Sequence, residues 1–131
     1  MTAMLDEETE LRKRIARELL SEILVPIEVE GPCGRVKAYG VIDTGASTQM
    51  LMPEVLEKTC MKDEAEGQLV VASGETITTR RGKVKLRVGE GNCPEVEVWA
   101  FEGPFNLIGM EYLVSGDALI DSRRGIITCR K

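Results

Sequence analysis

The sequence predicts a mainly β domain that follows one helix. Two observations support the β part. Apolar and polar residues alternate in short segments, most regularly over residues 95–101. Turns rich in Gly, Pro and Asn, such as residues 31–34 and 89–92, separate these segments. With 131 residues, the chain is long enough for one domain with a modest core.

The first residues follow a helical pattern. Leu11, Ile15 and Leu19 recur every four residues among charged side chains over residues 6–22, and acidic residues precede basic ones, as a helix dipole favours. We therefore divide the chain into a charged amphipathic helix, residues 1–23, and a β domain, residues 24–131.

The elements of the β domain follow from alternation, turn residues and proline placement. Pro53 suits the first turn of a helix, and Gly74 suits the tip of a hairpin. In chain order we predict strands at 23–29 and 35–42, a helix at 53–59, a hairpin at 68–79 with a return strand at 82–88, a strand at 95–101, a helix at 109–114, and strands at 118–120 and 125–129.

Composition argues against several partners. The net charge is −5, whereas nucleic-acid binding favours a basic face, and the basic cluster at residues 80–85 is explained by a solvated strand. No run of about eighteen apolar residues is present, and the acidic residues 6–10 are unlike the basic start of a signal peptide. We expect no nucleic-acid or membrane partner, and a cytoplasmic location.

The residue types present restrict the chemistry. The chain has no histidine, which excludes a Ser-His-Asp triad, a Cys-His dyad and His-ligated zinc within it. The dispersed cysteines are expected to be reduced thiols, although disulfides remain possible; they are Cys33, Cys60, Cys93 and Cys129. Hydrolysis would therefore depend on carboxylates, and we expect no metal and no cofactor.

Residues 41–48 are the most informative segment. An apolar run ends at Asp43-Thr44-Gly45, which places a carboxylate at the end of a buried strand. Gly45 has no Cβ, so the loop backbone can closely approach another group. Taken alone, this tripeptide is more often an ordinary turn.

Three segments, in this order, resemble the retropepsin-like aspartic proteases. They are the loop at 43–47 after residues 39–42, the segment 70–77 where that family has its flap, and the segment 105–113, in which apolar residues and a glycine run into a short helix. The resemblance covers residues 24–129. It implies a closed acid-protease barrel with a flap hairpin and one short helix in the C-terminal half, here with an extra N-terminal helix. We call residues 68–79 the flap hairpin.

The resemblance also implies the chemistry. Asp43 is the expected catalytic carboxylate, and the chain has a single Asp-Thr-Gly. The two aspartates that share one proton must then come from two copies of the chain across a twofold axis. Thr44, Gly45 and Ala46 would support the loop, with residues 107–109 packed beneath it. A peptide or protein substrate would contact Gly45, Ser47, Thr48, Ser73, Gly74 and Glu75.

Two features depart from the family pattern. Met110-Glu111 stands where small or Asp residues are commoner, and the flap tip at Ser73–Glu75 is polar. Besides a homodimeric aspartic endopeptidase, two other functions are compatible with the sequence: a binding module that keeps the fold without cleaving, and an interaction protein that cleaves only itself. The intact Asp43-Thr44-Gly45 argues against the binding module.

Overall fold

The computed structural model describes residues 23–124 and 126–131 and is mainly β. The helix predicted over residues 6–22 lies outside the described residues, as does Gly125. The elements are β1 Ile23–Gly31, β2 Gly34–Ile42, β3 Gln49–Leu51, α1 Pro53–Thr59, β4 Lys62–Val70, β5 Thr76–Val88, β6 Glu95–Ala100, β7 Asn106–Ile108, α2 Met110–Ser115, β8 Ala118–Asp121 and β9 Ile126–Cys129.

Six strands close into a barrel, as predicted. Around the ring the order is β1, β2, β7, β3, β6 and β5, and β5 pairs back with β1. Two neighbouring pairs, β2–β7 and β3–β6, are parallel. Alternate side chains of β1 and β5 point into the core and are at most 3% exposed; they are Val25, Ile27, Val29, Val84, Leu86 and Val88.

The flap hairpin is confirmed. β5 pairs with β6 as far as Arg81, and residues 76–80 pair with β4, so that the two-stranded hairpin extends beyond the barrel. Gly74 takes the turn with a φ of 87°, a value that glycine adopts without a steric penalty.

Two predicted bounds around the hairpin are wrong. β5 is one strand and does not break between 79 and 82, because its backbone pairs with β4 at residues 79–81 and with β6 at residues 81–83. Ion pairs of Arg80 with Glu64 (3.2 Å) and of Arg81 with Glu97 (3.6 Å) also link it to both neighbouring strands. β4 begins at Lys62 rather than at 68. Its first residues are polar and exposed, so they lack the alternation that predicts a strand.

The C-terminal half contains the predicted short helix and ends in a separate hairpin. The helix begins one residue later than predicted, at Met110, while the helix at 53–59 has the predicted bounds. β8 and β9 pair antiparallel and pack on the core through Ile127, which is 1% exposed. Among the described residues, no helix has the length and apolar character needed to cross a membrane.

The expectation of reduced thiols is wrong for Cys33 and Cys60, which form a disulfide with their Cα atoms 5.4 Å apart. The β1–β2 turn lies directly on the end of α1, where the Cys33 N–H donates to the Thr59 carbonyl at 2.9 Å. This contact between distant segments brings the two cysteines into bonding range. Cys93 and Cys129 are free thiols.

Candidate active-site loop

Asp43 directly follows β2, whose last residues, Val41 and Ile42, are buried. The backbone on both sides of the carboxylate is held in place. The Asp43 N–H donates to the Ile108 carbonyl at 2.9 Å, and the Ala46 N–H donates to the Asp43 carbonyl at 3.2 Å. β2 therefore delivers a half-buried carboxylate into a tight turn.

The carboxylate is oriented by its own loop. Its Oδ1 accepts a hydrogen bond from the Gly45 N–H at 2.9 Å. A Cβ on Gly45 would lie 3.2 Å from the same oxygen, so a side chain there would crowd the carboxylate. Within the part of the chain that the structure describes, Asp43 forms no ion pair. Among the described residues, the second carboxylate oxygen also accepts no hydrogen bond.

The remaining loop residues alternate in exposure. Thr44, Gly45 and Ser47 are exposed, Thr48 is half-buried, and Ala46 is 7% exposed and belongs to the core. The exposed backbone of Gly45 and the side chains of Ser47 and Thr48 can reach a ligand. Ala46 instead anchors the loop.

The segment 107–109 packs beneath this loop, as predicted. A Cβ on Gly109 would collide with the carbonyl oxygens of Ala46 and Thr48. The next two N–H groups donate to the loop, Met110 to the Ala46 carbonyl at 2.8 Å and Glu111 to the Ser47 carbonyl at 3.0 Å. The first turn of α2 is thereby capped by loop carbonyls rather than by a side chain. The unusual Met110-Glu111 does not disturb this contact, because it is made by backbone.

Two buried amides that the sequence did not identify hold the neighbouring strands. Gln49, fully buried, donates to the Glu97 carbonyl at 3.1 Å and accepts from the Tyr112 N–H at 3.2 Å. Asn106 donates to the Tyr39 carbonyl and accepts from the Met52 N–H, both at 2.8 Å. In the sequence, each of these amides is recognisable as a polar residue at the start of a short apolar run. Their hydrogen-bond partners, however, lie about 50 to 70 residues away in sequence, so the local pattern does not reveal the contacts.

The flap tip lies on a different element from the Asp43 loop. Ser73, Gly74 and Glu75 are exposed, and the turn is closed by hydrogen bonds between Val71 and Glu75 and from the Gly74 N–H to Val71. In the described residues, no hydrogen bond joins the tip to residues 43–48. The predicted site residues thus form two groups, one on each element.

The polar tip does not represent the whole flap hairpin. Behind it, Leu69, Val71 and Ile77 are half-buried, while Val70 between them is 67% exposed. One face of the hairpin is therefore apolar and partly covered.

Comparison with protein families agrees with the resemblance found in the sequence. The model of a family described as aspartyl protease matches residues 25–112, from β1 into α2, which is more than half of the chain. The match includes the Asp43 loop, the flap hairpin and the segment 107–109, and it ends before β8 and β9. A search of curated proteins gives no match. The chain belongs to the aspartyl protease family.

Proposed function

We propose that the protein is an aspartic endopeptidase in which two copies of the chain each contribute Asp43. The observation that carries the proposal is the Asp43 loop, which presents one half-exposed carboxylate per chain, oriented by the Gly45 N–H at 2.9 Å. Two such carboxylates, brought together, cannot both ionise at low cost, so they share a proton.

The shared proton defines the chemistry. The ionised carboxylate draws a proton from a water molecule held between the pair, and that water attacks the peptide carbonyl. The protonated carboxylate donates a hydrogen bond to the carbonyl oxygen. The carboxylate that took the water's proton then gives it to the leaving nitrogen as the C–N bond breaks, so the pair again shares one proton. No metal or cofactor takes part in this mechanism.

Substrate would bind between the two groups of site residues. We propose that the Gly45 carbonyl and the hydroxyls of Ser47 and Thr48 contact the peptide from the loop. Residues 73–75 would cover it from the flap hairpin, whose apolar face can pack against substrate side chains. The two groups lie on separate elements, and we propose that a bound peptide contacts both of them.

We propose that the second copy docks at the hairpin of β8 and β9. Its outer face exposes Leu119 (58%) and Ile126 (40%), which lie on the same side because Asp121 pairs with Ile126 and Leu119 with Thr128. Exposed apolar side chains on a short sheet with a free edge favour pairing with another strand. The predicted interface strand, residues 125–129, is part of this hairpin.

Asp43→Asn tests the catalytic role. The amide keeps the shape of the side chain but cannot share a proton, so cleavage of a peptide library should fall by at least about 10²-fold, the scale of acid–base catalysis. A pepstatin-type inhibitor should stop the wild type. Asp63→Asn is the matched control, since Asp63 is exposed on β4 with a φ of 55° that Asn tolerates.

Each result of this experiment decides between the candidate functions. Equal cleavage by wild type and Asp43→Asn would contradict the proposed mechanism. Wild-type protein that binds library peptides without cleaving them would instead be a binding module. Cleavage of its own chain alone would indicate a self-processing protein.

The cytoplasmic location predicted from the sequence stays a prediction. The disulfide between Cys33 and Cys60 weighs against it, because cytosolic proteins usually keep their thiols reduced.

A further inference from the structure

Trp99 lies where the flap hairpin leaves the barrel. On β6 it is directly opposite Arg81 of β5, and this is the last pair that joins the two strands toward the flap. From residue 80 to the tip, β5 pairs with β4. Trp99 therefore marks the boundary between the barrel and the hairpin.

The Trp99 ring is in contact with both strands of the hairpin at this boundary. The Arg81 guanidinium lies over the ring, 5.7 Å from its centroid, within cation–π range, and is held by Glu97 at 3.6 Å. On β4, a Cβ at Gly67 would lie 2.8 Å from both Cη2 and Cζ3 of the ring. Carbon atoms in contact are about 3.5–4.0 Å apart, so β4 can lie this close to the indole only because residue 67 is glycine.

The same face continues toward the flap tip. Gly67 is paired with Thr79, and the pair Leu69 and Ile77, two pairs further along, points to the same side. The Thr79 hydroxyl donates to the Ala100 carbonyl at 2.8 Å, next to Trp99 in the chain. The ring contact and this hydrogen bond together fix the angle at which the hairpin leaves the barrel.

We infer that Trp99 is a positioning residue, the support on which β4 rests when the flap hairpin lies over the Asp43 loop. From Gly67 the hairpin extends about 20 Å to its tip, at about 3.3 Å per residue. A small displacement at the ring edge is therefore amplified at residues 73–75. The inference rests on the proposed function in that the hairpin covers a peptide, but the contact itself can be tested without catalysis.

Gly67→Ala is the direct test, because the added methyl group collides with the ring edge and should lift β4. Trp99 is the only tryptophan in the chain, so its fluorescence reports on this contact. We expect shifted emission and amide exchange at residues 71–76 that is several-fold faster. For peptide cleavage, KM should rise several-fold while kcat changes less.

Gly103→Ala is the matched control. Its Cβ would lie 2.8 Å from Cε2 of Phe101, an equally close contact with an aromatic ring outside the hairpin. Exchange at residues 71–76 should stay at the wild-type rate. In a Trp99→Leu background, Gly67→Ala should have no further effect on exchange, because the ring edge is gone.

Two results would overturn the inference. One is Gly67→Ala protein with unchanged Trp99 emission and unchanged flap exchange. The other is an equal effect of Gly67→Ala in the presence and absence of the indole, which would show that the ring does not transmit it. A protein that cleaves no peptide would remove the proposed function, whereas the emission and exchange measurements would still decide the role of Trp99.

Discussion

Tyr112 is the buried side chain that connects α2 to the barrel wall. It is 3% exposed, and its hydroxyl donates to the Leu86 carbonyl at 2.9 Å and accepts from the Val88 N–H at 3.2 Å. Its own N–H is bound by Gln49, which flanks the Asp43 loop. Through its hydroxyl and its backbone N–H, this one residue fixes the helix that lies under the loop.

Tyr112→Phe should lower the free energy of unfolding by about 1–3 kcal/mol, because the buried Val88 N–H loses its partner. Burial raises the pKa of the phenol above its ordinary value of 10.0, so the folded protein keeps the proton that the unfolded chain gives up. The stability that this provides is complete below about pH 10 and is lost as the pH rises further. The wild type should therefore lose stability above pH 10 more steeply than the variant.

Denaturant unfolding at neutral pH and above pH 10 measures both effects. Tyr39→Phe is the control, since the Tyr39 hydroxyl makes no hydrogen bond within the described chain and its loss should change stability little. Burial also raises the pKa of the nearby Cys129 thiol, which is present in all three proteins. Parallel pH profiles for wild type and Tyr112→Phe would contradict the role of the phenol.

The residues found from the sequence and those that were missed differ in one physical respect. The Asp43 loop is a local structure, since its turn and its carboxylate orientation come from residues two or three positions apart, and a motif can therefore be read directly. Gln49 and Asn106 act through partners on other strands. Their role depends on a strand order that the local pattern does not contain.

Among the elements, the β1–β2 turn and α1 are joined by the disulfide between Cys33 and Cys60, which are 27 positions apart. Closing a loop of this length should stabilise the fold by about 3.5 kcal/mol through the entropy of the unfolded chain. The variant with both cysteines replaced by serine should be less stable by that order. Reduced wild type should have the same lowered stability as this variant. Cys93→Ser, which removes only a free thiol, should keep the stability of the oxidised wild type.

The same pair tests the location of the protein. Alkylation at lysis followed by mass spectrometry distinguishes thiols from the disulfide in the cell. Alkylated Cys33 and Cys60 would support the cytoplasmic prediction, and an intact disulfide would place the chain in an oxidising compartment. Equal stability of oxidised and reduced protein would contradict the stabilising role of the bond.

Strands and helices were predicted wherever their own sequence carries the pattern. α1 begins at a proline, and β6 alternates with period two, so both were found nearly at their bounds. The first half of β4 is an edge strand with charged residues exposed on both faces, which protects the edge but removes the alternation. The sequence predicts that the return strand begins only at Gly82, after a break in β5. Gly82 is instead a point of close packing, since a Cβ there would lie 2.5 Å from that of Met61.

At the scale of the whole molecule, the closed barrel follows from strands that each bury one face, together with a family resemblance that supplies the topology. The periodicity of the strands does not specify the parallel pairs β2–β7 and β3–β6. The first of these pairs brings residues 107–109 under the Asp43 loop. The number of chains in the active enzyme is likewise not encoded in one barrel. It has to be inferred from the single Asp43 per chain.

Mixing subunits tests that inference directly. If each active site needs Asp43 from both chains, then a mixed dimer of wild type and Asp43→Asn has one carboxylate and is inactive. After equal amounts are allowed to exchange, only about a quarter of the dimers carry both carboxylates. Activity should therefore be about a quarter of that of pure wild type at the same total chain concentration. Compared with wild type alone at the same wild-type concentration, it should be about half. Leu119→Arg, on the exposed outer face of β8, should reduce both dimer content and activity while leaving the fold intact. Activity that stays proportional to the amount of wild-type chain, or that persists in a sedimenting monomer, would show that one copy of Asp43 suffices.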